Sequence, residues 1–219
     1  MFGNLTPDYF VQVAIVLAMM LLVAFPVHEF SHALAATYLG DGTARLMGRL
    51  TLNPIAHFDP TGALLLTVSM LAGVGIGWAK PTPYNPMNLQ GGRWGEAIVA
   101  VAGPISNLVL AIAAAIPLRY ILATGMQVDL LANILYRFIE INLLLAVFNL
   151  LPIPPLDGSK VLYAFLDPRT SWQVRGFMNQ YGLFILLGAM FLPLFGGNTL
   201  IGLVFDQVLQ PLLRLVVGA

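Results

Sequence analysis

His28, Glu29 and His32 form an H-E-x-x-H pattern inside an apolar run. On a helix, residues four apart share a face, so the two imidazoles can reach one metal ion. Glu29 would lie beside that ion, placed to act as a general base on water. The setting is unusual for such a motif. Nearly all of residues 9–27 are apolar, and residues 33–36 continue the run. Three ionisable groups in one turn of a membrane-buried helix cost at least a few kcal/mol per charge unless something compensates them. A divalent cation does so, which favours metal binding over a pair of ordinary helix-surface histidines.

A catalytic zinc site takes three protein ligands and keeps one position open. The chain has no cysteine, so disulfides and thiolate sites are excluded and the third ligand must be His, Asp or Glu. The candidates are His57, Glu96, Glu140 and Asp157. His57 lies just before a predicted N-cap and reads as an interfacial histidine. Glu96 opens a span, where a carboxylate suits the helix N-terminus. Glu140 follows Arg137 by three residues, the spacing of an intrahelical ion pair. Asp157 sits between a proline run and Gly158, where it would also serve as an N-cap. Asp157 leads, but spacing alone leaves the choice open.

The elements that must position these residues are membrane helices. Of 219 residues, 58% are hydrophobic and 9% charged, and mean hydropathy is +0.84. A soluble domain carries about 25% charged residues, so the chain reads as an all-α polytopic membrane protein. The zero net charge gives no sign of nucleic-acid binding. The first 27 residues hold no Lys or Arg, so the start reads as mature sequence and not as a signal peptide. Residues 7–39 form a first span, long for one crossing, with Pro26 as a kink. Partial alternation over 44–52 predicts one or two short strands. Asp59 and Pro60 start a helix whose apolar part, 63–74, is short for a crossing and loosened by Gly73, Gly75 and Gly77. Residues 78–89, with Pro81, Pro83 and Pro86, form an extended or turning loop. Residues 96–118, 130–151 and 180–195 are further spans, and 159–166 is a short helix. Residues 201–217 carry Asp206, Gln207, Gln210 and Arg214 largely on one face, so this helix is expected at the interface or lining a polar cleft. About five to six transmembrane or re-entrant helices result, with the short strand segment after the first. They form one domain over 1–219, with a catalytic core at about 9–166 and C-terminal helices at about 175–219.

Charge and geometry constrain the path. If 63–74 crosses fully, basic residues of the non-spanning segments divide five against three. If it dips in and returns, Arg45, Arg49, Lys80, Arg93, Lys160, Arg169 and Arg175 share one side against Arg119 alone. The positive-inside rule makes the first side cytoplasmic. The re-entrant path also brings Asp157 to the depth of His28 and His32.

A second segment narrows the chemistry. Phe148 to Gly158 reads F-N-L-L-P-I-P-P-L-D-G. It resembles the N-x-x-P-x-x-x-x-D-G segment of the site-2 proteases, zinc-dependent intramembrane metalloproteases, with Asn149, Pro152, Asp157 and Gly158 on the marked positions. His28 to His32 carries the other half of the resemblance, and Gly103-Pro104-Ile105-Ser106-Asn107 resembles a G-P-x-x-N stretch common in the family. The likeness spans about residues 20–165 and is weak over the C-terminal helices. It implies that His28, His32 and Asp157 ligate one zinc ion and that Glu29 is the general base. It also implies that Asn149 lies near the site, to steady an oxyanion or the substrate backbone. Asn107 is a candidate substrate-binding residue, its alternative being interhelical packing. Unlike many relatives, the chain has no room for a PDZ domain between spans and no CBS pair, so regulation is expected from the membrane core, a partner or substrate shape.

The expected function is hydrolysis of a peptide bond within a transmembrane helix of another protein, in a lipid bilayer. The plasma membrane is the expected location, with the site opening to the cytoplasm. An intact helix hides its carbonyls in hydrogen bonds, so the substrate must unwind locally. Strands at 44–52 or the extended 78–84 segment could hold it by strand addition. A metal transporter is the alternative, but it needs further ligands along a path, and His57 is the one spare histidine. A catalytically silent, metal-binding relative would lack a ligand or the base, and none is missing.

Overall fold

The structure is a computed structural model and describes residues 6–72, 74–193 and 197–218. Of the described residues 76% are helical, and none lies in a sheet. Pro7–Met19 (α1) starts on Thr6, whose hydroxyl accepts the Tyr9 N–H at 3.3 Å. A π-helical turn, Met20–Ala24, joins it to Phe25–Tyr38 (α2), making one apolar rod of 32 residues. Pro26 has no N–H, so a carbonyl one turn back loses its usual donor. The wider turn accommodates this, with the Phe25 N–H reaching the Met20 C=O. The expected kink thus takes the form of a π turn just before the motif. At 1.5 Å per residue the rod is about 48 Å long, more than the roughly 30 Å hydrocarbon core needs.

The strands expected over 44–52 are not formed. Thr43–Leu46 (α3) is a single helical turn, closed by Met47, Gly48 and Arg49 N–H groups bonding back to Thr43, Arg45 and Ala44 carbonyls. Local bonds meet the backbone's needs, and Gly48 turns the chain at φ +68. The alternation reflected a tight turn between exposed side chains, not a pleat. Pro54–His57 (α4) follows, capped by Asn53.

Pro60–Leu71 (α5) starts on Asp59, which accepts the Gly62 N–H at 2.8 Å. The chain then doubles back. Val74 N–H bonds Ser69 C=O at 2.8 Å, and Ile76 N–H bonds Ser69 Oγ at 2.7 Å. Trp78 lies against Gly62, where a Cβ would overlap its carbonyl. Lys80 N–H reaches His57 C=O at 2.9 Å, beside the residues where α5 began. The short apolar stretch therefore returns to its own starting level. Of its loosening glycines, Gly73 lies outside the described residues.

Arg93–Thr124 (α6) and Asp129–Asn149 (α7) form a long hairpin. Gly158–Phe165 (α8) packs along α6 and ends where Arg93 donates to the Leu166 carbonyl. Pro168–Phe191 (α9) remains at the Arg93 end of the bundle. Ser171 Oγ bonds Tyr163 C=O at 3.1 Å, Arg175 pairs with Glu96 at 2.7 Å, and Gly182 abuts Pro154. Leu186 and Ala189 then pack with Leu156 and Ile201. Leu200–Val204 (α10), a π turn at Phe205–Leu209, and Gln210–Val217 (α11) continue from there to the other end. There the Arg119 guanidinium donates to the Leu215 and Val216 carbonyls.

The structure bears on two expectations about the C-terminal third. Residues 180–191 belong to Pro168–Phe191, a helix that is not among those long and apolar enough to cross a membrane, its first half being polar through Arg169, Gln173, Arg175 and Asn179. Leu194 and Phe195 lie outside the described residues. The last helix, expected at the interface or lining a polar cleft, packs Leu209, Leu213 and Val216 onto Ala111, Ala115, Leu118, Ile139 and Leu143. Its polar residues Asp206, Gln207, Gln210 and Arg214 face outward. Among the described residues, four helices are long and apolar enough to cross a membrane: Pro7–Tyr38, Arg93–Thr124, Asp129–Asn149 and Leu200–Val217.

Candidate metal centre

The motif helix meets α6 antiparallel, through a stripe of every fourth residue on α6: Val99, Gly103 and Asn107. His28 Nδ1 lies 2.6 Å from Asn107 Oδ1, and His32 Nδ1 lies 2.7 Å from the Val99 C=O. Gly103 sits between them. A Cβ there would fall 2.5 Å from His32 Nε2 and 2.6 Å from His28 Nε2. The glycine is what lets two imidazoles fit between the helices.

Asp157 arrives from the α7–α8 turn. Gly158 packs against the Leu150 backbone, where a Cβ would not fit, and so allows the reversal. Asp157 precedes α8, yet its side chain makes no cap bond. Its Oδ2 lies 3.2 Å from His28 Nε2 and 3.1 Å from His32 Nε2, and its Oδ1 takes the Lys160 ammonium at 2.9 Å. All three residues are buried.

The donor set decides what belongs here. The Val99 carbonyl can only accept, so His32 Nδ1 carries a proton and, in the neutral ring that a metal requires, Nε2 presents a lone pair. For His28 the same follows from a chain of amides. Asn142 Nδ2 donates to the Phe138 C=O at 2.8 Å, Asn107 Nδ2 donates to Asn142 Oδ1 at 2.9 Å, and Asn107 Oδ1 is left to accept from His28. Two imidazole lone pairs and a carboxylate oxygen thus converge. Three acceptors in a buried site repel one another unless a cation joins them, and two N ligands with one O ligand suit zinc. Hydrogen bonds from both Nδ1 atoms, to Asn107 and to the Val99 carbonyl, hold the rings in the required tautomer.

The other candidate ligands are occupied elsewhere. Glu96 pairs with Arg175 and Glu140 with Arg137 at 2.7 Å. His57 Nε2 bonds the Thr51 C=O at 2.7 Å. Among the described residues, His28, His32 and Asp157 are the one group that could hold a metal ion.

Glu29, half-buried, faces the extended segment that follows the α5 return. Its Oε2 accepts the Thr82 N–H at 2.7 Å, and Thr82 Oγ1 donates to the Glu29 C=O at 2.9 Å. That segment is tied down on both sides. Arg49 donates to the Lys80 C=O. Burial pushes the Arg49 guanidinium down from its usual value, and the charge of Glu29 opposes this. Asp41, fully enclosed, accepts Thr43 Oγ1 at 2.7 Å, Asn85 N–H at 2.8 Å and Asn88 Nδ2 at 3.0 Å. Burial works against its ionisation, but these bonds outweigh it and hold the carboxyl below the usual carboxylate range.

Asn107 is fully enclosed and holds His28; it faces no open cleft. Asn149 Nδ2 bonds its own helix, at the Leu145 C=O, 3.0 Å away. Asn142, Thr82 and the Val99 carbonyl carry no motif that singles them out. The available signals were weak: Asn142 is an amide inside an apolar run, and Thr82 is the sole N–H donor in Pro81-Thr82-Pro83.

Comparison with known proteins agrees with this chemistry. The family model of peptidase family M50 matches residues 121–189. A Bacillus subtilis (strain 168) protein named "Putative zinc metalloprotease YwhC" is 37% identical over 214 residues, covering 90% of this chain and 94% of that one. The Mycolicibacterium smegmatis protein named "Putative zinc metalloprotease Rip2" is 32% identical over 190 residues, covering 87% of this chain and 72% of its own. No solved structure matches the chain significantly.

Proposed function

Because the chain belongs to peptidase family M50, the site-2 protease family, and is thus a zinc metalloprotease of the membrane, we propose that it cleaves transmembrane helices of other proteins within the bilayer. We assign His28, His32 and Asp157 as the zinc ligands and Glu29 as the general base. The observation that carries this reading is the convergence of two imidazole lone pairs and one carboxylate oxygen, each otherwise fully hydrogen-bonded.

Bound zinc supplies Lewis acidity, which acidifies water and polarises a peptide carbonyl. Glu29 takes the proton from the attacking water as its oxygen bonds the carbonyl carbon. It returns that proton to the amide nitrogen as the C–N bond breaks. Asn149 has a second N–H beyond the one it gives to Leu145, available to steady the oxyanion.

The substrate must present an unwound segment. The 78–84 stretch remains the candidate platform. Lys80 N–H, Lys80 C=O and the Thr82 N–H all point inward. By the two-residue period of an extended chain, Pro81 and Pro83 face the other way and offer carbonyls but no N–H. A substrate paired there would donate its own N–H groups.

We read the whole chain as one catalytic domain crossing four times. Arg45, Arg49, Lys80, Arg93, Lys160, Arg169 and Arg175 lie toward the Arg93 end, and Arg119, Arg137 and Arg214 toward the other. The positive-inside rule then opens the site to the cytoplasm, with the plasma membrane as its location. The test compares wild type and Glu29→Gln in liposomes on single-span Leu/Ala helices bearing a central Asn-Gly pair. Cleavage should fall by at least about 100-fold with zinc content unchanged. A mutant that still cleaves removes Glu29 from the mechanism.

A further inference from the structure

We infer that Thr82 is the positioning residue for the general base. This rests on the assignment of Glu29 made above. A glutamate side chain has three rotatable bonds, and a base on water must be aimed within a fraction of an ångström. Most of the site's other polar groups are fixed by α6 or by Lys160, but none of those bonds reaches Glu29. Its carboxylate is held from the opposite side, by Thr82 alone among the described hydrogen bonds: Oε2 accepts the Thr82 N–H at 2.7 Å. The Thr82 hydroxyl closes a second bond, 2.9 Å long, to the Glu29 carbonyl. Two bonds between the same two residues fix distance and rotation together, and they leave Oε1 of the carboxylate for water.

The local sequence suits this task. Pro81 and Pro83 have no N–H, so Thr82 supplies the one backbone donor in Lys80-Pro81-Thr82-Pro83 after Lys80, whose own N–H is committed to His57. A residue before proline is confined to extended conformations, which keeps that N–H pointed at α2. Arg49 and His57 on one side and Asp41 on the other anchor the flanks at Lys80, Asn85 and Asn88. The donor is thus delivered on a stiff, twice-anchored strap. Thr82 itself is buried, at 9% exposure, so it acts through Glu29 and does not itself face a substrate.

Three variants test this on the same Leu/Ala helix probe. Thr82→Pro suits the extended backbone but deletes both bonds, the N–H and the hydroxyl. Thr82→Val keeps the N–H and deletes the hydroxyl bond. Thr82→Ser keeps both. Expected are a fall in kcat of about 10–100-fold for Thr82→Pro, a smaller fall for Thr82→Val and wild-type kcat for Thr82→Ser. KM and zinc content should stay unchanged throughout. An unchanged kcat in Thr82→Pro, or a loss expressed in KM, overturns the assignment. If Thr82→Pro does not fold, Thr82→Val against Thr82→Ser decides, and equal kcat for the two overturns it. Cleavage by Glu29→Gln would instead sink the underlying base assignment. An inactive Glu29→Gln beside fully active Thr82 variants sinks this inference alone.

Discussion

Replacing Gly103 by alanine adds one methyl group at the tightest point of the metal centre. That carbon would stand 2.5 Å from His32 Nε2 and 2.6 Å from His28 Nε2, where ordinary contact begins at 3.4 Å. Each ring must therefore retreat by about 0.8–0.9 Å, while zinc ligation tolerates about 0.2 Å. Neither ring can retreat freely, because Asn107 and the Val99 carbonyl hold their far nitrogens from the same helix that carries the new methyl. Loss of one hydrogen-bond partner of a liganding histidine weakens metal binding by about 10–100-fold. Displacing two ligands at once should cost at least about 100-fold, or ~2.7 kcal/mol. The assay is competition with a chelator for zinc on purified protein, alongside unfolding midpoints with and without zinc. Alanine is a better helix former than glycine by about 1 kcal/mol, so a general loss of helix stability is not expected to account for the result. The zinc-induced rise in midpoint should shrink or vanish in Gly103→Ala. Zinc affinity within threefold of wild type would refute the claim that the glycine makes room for the rings.

Asn107→Ala should lower zinc affinity by about 10–100-fold, measured by the same competition. Asn107→Asp keeps the acceptor for His28 and should lose less. Asp41 gives a pH signature. Its carboxyl is held below the usual range in the folded protein, so its stabilising effect is complete above the unfolded value of about 3.9. That effect is lost as pH falls through the lower folded value. Unfolding midpoints in detergent should therefore drop on acidification below about pH 4, and less steeply in Asp41→Asn, which should also be less stable near neutrality by about 1–3 kcal/mol.

The local part of the centre was legible because its spacing is local. His28, Glu29 and His32 lie within one helical turn, and an apolar run made uncompensated charge there costly. Asp157 stood out less, since an aspartate before Gly158 also suits an N-cap. Only the fold reveals that its side chain caps nothing and turns to the histidines. The return of the chain after α5 could be anticipated from charge distribution, and Ser69, Gly62 and Gly77 supply its geometry. The C-terminal helices were less legible because apolar windows count residues without knowing their neighbours. Along the last helical rod the apolar stripe of Leu209, Leu213 and Val216 sets the packing, and the polar face is left exposed. The alternation at 44–52 misled for a related reason: a strand needs a partner, and none is at hand, so the backbone closed its bonds within a turn.

The amide chain from Phe138 to His28 has a polarity that cannot be reversed. It ends on a backbone carbonyl, which cannot donate, so each carboxamide along it has one permitted orientation. The identity of the lone pair offered to the metal is thus dictated from α7, two helices away from the motif. Sliding or rotating α7 would first be felt as a loss of order in Asn142, then in Asn107, and last as a choice of tautomer at His28. A bundle that looks like a passive apolar scaffold therefore reports its own packing to the metal, and a poorly assembled one would fail to hold zinc before it failed to hold its helices.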